Sequence, residues 1–143
     1  MQKRSGESMK KKICALLVVG CLLGMLQGCS AYEKEKKISD VEYTVMCPED
    51  VPQELADEIK NLKDKEFQLS YEDGEYLYVA KGYGKRNSSG FNISVKEMYV
   101  TEHTLVFDTE ITGPKEGQDV IEKATTPYVV VKMEAMDKQV VFK

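Results

Sequence analysis

The sequence predicts an α+β fold, one helix packed on a mostly antiparallel sheet of about five to seven strands. Three observations carry this. A single helical period, near residues 53–64, is preceded by one β-rich run and followed by five or six more. Asp73-Gly74 lies between two such runs and is the strongest short-range hairpin signal in the chain. Residues 128–133 (YVVVKM) place apolar side chains consecutively, as in a strand covered on both faces. A length of 143 residues, 42% of them hydrophobic and 31% charged, fits one folded domain and excludes a multidomain enzyme or a wholly disordered chain.

Ahead of that domain, Lys10, Lys11 and Lys12 precede an uncharged apolar stretch, residues 13–26 (ICALLVVGCLLGML). A helix of that length rises about 21 Å, short of the ~30 Å hydrocarbon core, so the stretch is expected to be a secretory signal rather than a permanent span. Residues 1–28 form this signal peptide, and residues 1–8 look like an upstream extension before Met9. Residues 30–40 (SAYEKEKKISD) are polar and mixed in charge, which predicts that residues 29–40 are a solvated tether and that the domain occupies residues 41–143.

Within the domain, residues 41–46 (VEYTVM) read as a strand, ended by Cys47-Pro48. Asp50 with Gln53 forms a weak capping box, Pro52 suits a first turn, and Leu55, Ile59 and Leu62 recur at helical spacing through about Asp64. Around a turn at Asp73-Gly74, Tyr71 is expected opposite Tyr76, Leu69 opposite Tyr78 and Phe67 opposite Ala80. Residues 82–90 (GYGKRNSSG) make a long loop. A strand with Phe91, Ile93 and Val95 alternating follows, through about Val100. Residues 104–112 return as a strand with Leu105, Phe107 and Ile111 on one face. Residues 115–126 are expected to loop, with room for one helical turn, and residues 139–142 to close the sheet.

Function classes narrow on charge and chemistry. With 20 bases against 24 acids no strongly basic surface is left for nucleic acid. Asp, Glu, His and Cys show no calcium-loop or zinc spacing, so neither metal nor cofactor is expected. His103 is the single histidine and Cys47 the single cysteine beyond residue 29. No spacing gives either an orienting partner, so they read as a solvated turn residue and a quiet, partly buried thiol. The alternative is a small secreted hydrolase using one of them. Gly82-Tyr83-Gly84-Lys85-Arg86 could cradle an anion, though it lacks the spacing and following helix of a nucleotide loop. More simply it is a connecting loop, and its aromatic, locally basic tip makes Tyr83, Gly84, Lys85, Arg86, Gly90 and Phe91 the candidate partner-binding residues.

Two resemblances add to this reading. Leu26-Gln27-Gly28-Cys29 resembles the lipobox of bacterial lipoproteins, which implies cleavage after Gly28, thioether lipidation of Cys29 with acyl chains such as palmitate, and a lipid-anchored chain on the extracytoplasmic face of the cell membrane. One acyl chain binds marginally and two or more hold stably. With residues 1–28 removed, 15 bases would face 23 acids, and only Cys47 of the four cysteines would remain free. From Tyr76 to Lys143 the chain resembles the C-terminal domain of the protease complex subunit PrcB family. The residues that carry the likeness are Tyr76-Leu77-Tyr78-Val79-Ala80, Gly82, the segment KRNSSGF at 85–91, Pro114, Gly117, Val120 and Thr126-Pro127-Tyr128-Val129-Val130-Val131. Where that family is expected to read Thr-Gly-Gly-Tyr, this chain has Ser88-Ser89-Gly90-Phe91, without the phenol. The resemblance implies an extracytoplasmic lipoprotein domain that associates with and stabilises a secreted protease complex, and the lack of a catalytic set in the sequence makes the expected role a non-enzymatic subunit. A loop-mediated protease inhibitor is the other reading of the same features.

Overall fold

The computed structural model describes residues 35–143; the expected signal peptide and Cys29 lie outside the described residues. The α+β class holds, with strands β1 (Ser39–Asp40), β2 (Thr44–Val45), β3 (Glu66–Glu72), β4 (Tyr76–Tyr83), β5 (Asn92–Val100), β6 (Thr104–Thr112), β7 (Tyr128–Glu134) and β8 (Gln139–Phe142) and one helix, α1 (Gln53–Leu62). The single sheet of five to seven strands does not. The eight strands form two four-stranded sheets, ordered β1-β5-β6-β8 and β2-β7-β4-β3.

Coverage explains the second sheet. A ten-residue helix is about 15 Å long and roughly 10 Å wide, enough to shield part of one sheet face. Leu55 and Ile59 of α1, with Val51, do this against Phe67, Tyr78, Ala80 and Val130. Period-two alternation then sends Leu77, Val79, Val129, Val131 and Met133 to the opposite face, where they meet Met98, Leu105 and Phe107 of the other sheet. The β2-β7-β4-β3 sheet is therefore the middle layer, and its two central strands are apolar on both faces, as the run at 128–133 predicted.

Other expectations are corrected at their junctions. Residues 41–46 are not one strand: β1 pairs with β5 and β2 with β7, and the chain between them crosses from one sheet to the other. The tether does not remain free up to Asp40. Ser39–Asp40 is strand, the Ile38 N–H donates to the Val100 carbonyl at 2.8 Å, and the Thr101 hydroxyl donates to the Glu35 carboxylate. That bond is the main reason the Glu35 carboxyl is held below its ordinary range; the His103 backbone N–H adds to it. No capping box forms, because Asp50 belongs to a 3-10 turn (Pro48–Asp50) and the Gln53 amide donates to Asp57 instead. The helix ends at Leu62, which is exposed.

The β3–β4 hairpin is displaced by two residues from the expected pairing: Tyr71 faces Tyr78, Leu69 faces Ala80 and Phe67 faces Gly82. The Asp73 side chain sets this. Its Oδ1 accepts the N–H groups of Tyr76 at 2.8 Å and Glu75 at 3.1 Å, so Asp73 becomes the corner and Gly74 (φ +94°) with Glu75 the turn. A shift of two keeps every side chain on its expected face. Strand β5 carries a bulge between Val95 and Glu97, which moves the inward positions from Ile93 and Val95 to Met98 and Val100. Strand β8 leaves the sheet of β7 altogether and pairs in parallel with β6, placing Phe142 beside Phe107. No helix of the described residues is long and apolar enough to cross a membrane.

Candidate functional site

The two-sheet architecture forces the chain to cross between layers, and two of these crossings lie side by side. Residues 84–91 lead from β4 to β5, and residues 113–127 return from β6 to β7. They run antiparallel and bond to each other. Arg86 and Thr125 exchange backbone bonds of 2.8 and 3.0 Å, the Ser89 N–H donates to Ile121 at 3.0 Å, and Ser89 Oγ accepts the Ile121 N–H at 2.9 Å. The Thr125 hydroxyl donates to the Ser88 carbonyl at 2.7 Å. Residues 115–126 form the expected loop, without a helical turn; a turn closed by the Gln118 N–H on the Lys115 carbonyl stands there. Pairing with the facing loop satisfies the backbone groups that a helical turn would otherwise bond internally.

Each predicted binding residue has a definite place in this lobe. Tyr83 ends β4, and its hydroxyl lies 2.6 Å from that of buried Thr109, joining the two sheets beneath the loops. Gly84 has φ +72° and fits against the backbone of Lys65 and Glu66, where a Cβ would sit 3.3 Å from both. The exposed Lys85 gives its N–H to the Asp64 carbonyl. Gly90, at φ +91°, touches the facing loop so closely that a Cβ would come within 2.9 Å of Pro114 and 3.1 Å of Val120. Phe91 is half-buried, and the Arg86 guanidinium carbon stands 5.6 Å from its ring centroid.

These bonds correct the anion-cradle reading. A backbone cradle needs unpaired N–H groups converging on one point. Here the N–H groups of Lys85, Arg86 and Ser89 are all taken by carbonyls.

Sequence reasoning missed the facing loop. Val120 and Ile121 are exposed by 39% and 69%, in a segment that is otherwise mostly polar. The apolar pair amid 115–126 was the available signal. The hydrolase candidates fare differently. Cys47 is exposed, not partly buried; it stands at the N-cap position of the 3-10 turn, and its side chain makes no capping bond there. It lines an open cleft with Tyr43, Met46, Tyr76 and Lys132, and His103 is not part of that cleft. His103 is an exposed turn residue whose ring Nε2 stands 4.0 Å from the Glu102 carboxylate, while its backbone N–H donates to Glu35 at 3.4 Å. Among the described residues no cluster of three metal-ligating side chains occurs.

Residues 77–134 match the family model described as PrcB C-terminal, a stretch that includes all of β4 but its first residue, both lobe loops and β7. No curated protein and no solved structure matches the chain.

Proposed function

From the premise that residues 77–134 carry the PrcB C-terminal pattern, we propose that this chain is a non-enzymatic subunit that docks on and stabilises a secreted protease complex. The family match is the observation that supports it most, because its limits enclose the entire paired-loop lobe. The lobe also has the build of a docking element: two crossings braced against each other on a rigid scaffold, with the apolar pair Val120 and Ile121 at the surface. In this reading Cys29 carries a thioether-linked lipid, the domain is held on the extracytoplasmic face, and its excess of acids keeps it off an anionic bilayer.

Photo-crosslinking from Ser88 of the full chain in cells of its host, followed by identification of the adducts, tests the partner. A protease-complex component is the expected capture; repeated capture without one overturns the reading. Replacing Cys29 with Ser should move the chain from the membrane to the soluble fraction, and an unchanged distribution would remove the anchor from the proposal. If the added domain lowers protease turnover instead of prolonging activity, the role is inhibition.

A further inference from the structure

Residues 35–40, which the sequence assigned to the free tether, are bound along the β5–β6 end of the sandwich. The Thr101 hydroxyl and the His103 N–H donate to the Glu35 carboxylate, and the Ile38 N–H donates to the Val100 carbonyl at 2.8 Å. Ser39 and Asp40 pair with Val100 and Tyr99, and the Lys37 ammonium stands 5.2 Å from the Tyr99 ring centroid. Only residues 30–34 then separate Cys29 from the first held residue, a chain that extends to about 21 Å at most. Were the strap free as far as Val41, whose N–H donates to the Met98 carbonyl, the chain would extend to about 43 Å. The length of the domain lies between these reaches. Strand β5 runs from Asn92 at the lobe to Val100 at the strap and β6 returns from Thr104 to Thr112, each spanning about 27 Å. The second sheet has the same ends. Gly82 and Tyr128 pair at the lobe, Tyr76 and Glu134 at the far end, and Lys138 beyond them donates to the carbonyls of Thr101 and Glu102 at 2.8 Å.

We propose that residues 35–40 are an orienting strap: they hold the end with the turns at 101–104 and 135–138 toward the membrane and leave the paired-loop lobe at the membrane-distal end. This rests on the lipidation of Cys29 and on the docking role of the lobe, and it fixes the side from which a partner approaches. The inverted arrangement, with the lobe on the bilayer, would lift Glu35 about 27 Å from the surface, beyond the reach of about 21 Å that the strapped chain has. Released, the longer chain would permit it. A flat arrangement would set the domain's surplus of acids along an anionic surface, which like charge opposes. Standing end-on, the domain brings only the exposed turn acids Asp73, Glu75, Glu102 and Asp137 near the bilayer, and their repulsion keeps the short chain extended. The lobe is then out of reach of a surface flush with the bilayer. Its partner is an extracytoplasmic protein whose docking site stands clear of the membrane.

The test is paramagnetic broadening of backbone amide signals in the full chain, purified from host membranes into discs of phosphatidylcholine and phosphatidylglycerol that carry a gadolinium-chelate headgroup lipid. Broadening falls steeply with distance, so Glu102, His103 and Asp137 should be broadened at least about tenfold more than Glu116 and Gln118 of the lobe. Glu35→Ala with Ile38→Pro removes the carboxylate that Thr101 holds and the N–H that Val100 accepts, and should bring that ratio below about threefold. A Gly-Ser insertion of about six residues between Lys34 and Glu35 should lower it equally with the strap intact. Equal broadening at both ends, or more at the lobe, overturns the proposal, as does an unchanged ratio in the folded double variant. Should the double variant disturb the fold, the insertion decides, and an unchanged ratio there overturns the proposal. Loss of the chain from the discs with Cys29 intact removes the anchor and the orientation together. Retention in the discs with equal broadening refutes the orientation alone and leaves the docking role of the lobe standing.

Discussion

Phe107 and Phe142 offer a direct measurement of the least anticipated pairing, β8 lying parallel to β6. Phe107 is wholly buried between the sheets, and its ring meets that of Phe142 edge-on, centroids 6.0 Å apart and planes at 75°. Replacing Phe107 with Ala forfeits roughly 150 Å² or more of buried apolar surface, about 3–4 kcal/mol at ~25 cal/mol per Å². That falls within the ~3–5 kcal/mol typical of Phe→Ala in a core. A domain of this size is stable by only about 5–15 kcal/mol, so the milder Phe107→Leu and Phe142→Leu suit a quantitative cycle better. Urea denaturation of residues 30–143, followed by circular dichroism, should give single-variant losses of about 1–2 kcal/mol each, or midpoint shifts of roughly 1 M. The double variant should lose less than the sum by about 0.5–1.5 kcal/mol, the contribution of an aromatic pair beyond its area. Additivity within about 0.3 kcal/mol would place the two rings apart and refute the parallel pairing.

Tyr83→Phe should destabilise by about 1–3 kcal/mol because it strands the buried Thr109 hydroxyl; Tyr83→Phe with Thr109→Val should recover much of the loss, as measured by the same denaturation. Gly82→Ala should cost about 1–3 kcal/mol, since its Cβ would fall 2.0 Å from Phe67 Cε1, and Phe67→Leu should relieve the clash and so behave non-additively with it. The Asp73 carboxyl is held below its usual range, first by the Tyr76 N–H and further by the Glu75 N–H and Tyr78 hydroxyl. Its folded pKa lies under its unfolded one. Its stabilisation is thus complete above about pH 4 and lost as pH falls through the lower folded value. Thermal melts from pH 6 to 2 should show a shallower acid decline for Asp73→Asn than for wild type, and identical slopes would remove Asp73 from the turn.

How much of this was legible in the chain follows from the range of each interaction. Residues 104–112 were located correctly because their alternation is local, and the two-sided burial at 128–133 showed in three consecutive valines. The hairpin was located but mispaired by two, since the choice between Asp-Gly and Gly-Glu as the turn depends on where one carboxylate finds its donors. The lobe was half legible. Its first loop stood out through glycines and charge, whereas its second loop, 113–127, acquires meaning only where the backbones of Arg86 and Thr125 meet.

By itself the sequence determined the α+β class, the helix, the limits of β6 and the pattern shared with the PrcB C-terminal family over 77–134, all consequences of short-range periodicity or ordered local motifs. Only the tertiary structure decided that there are two sheets, that β8 returns beside β6, and that residues 84–91 and 113–127 pair with each other. One amphipathic helix cannot cover every apolar face these strands carry, and which surface covers the remainder depends on contacts between residues far apart in the chain.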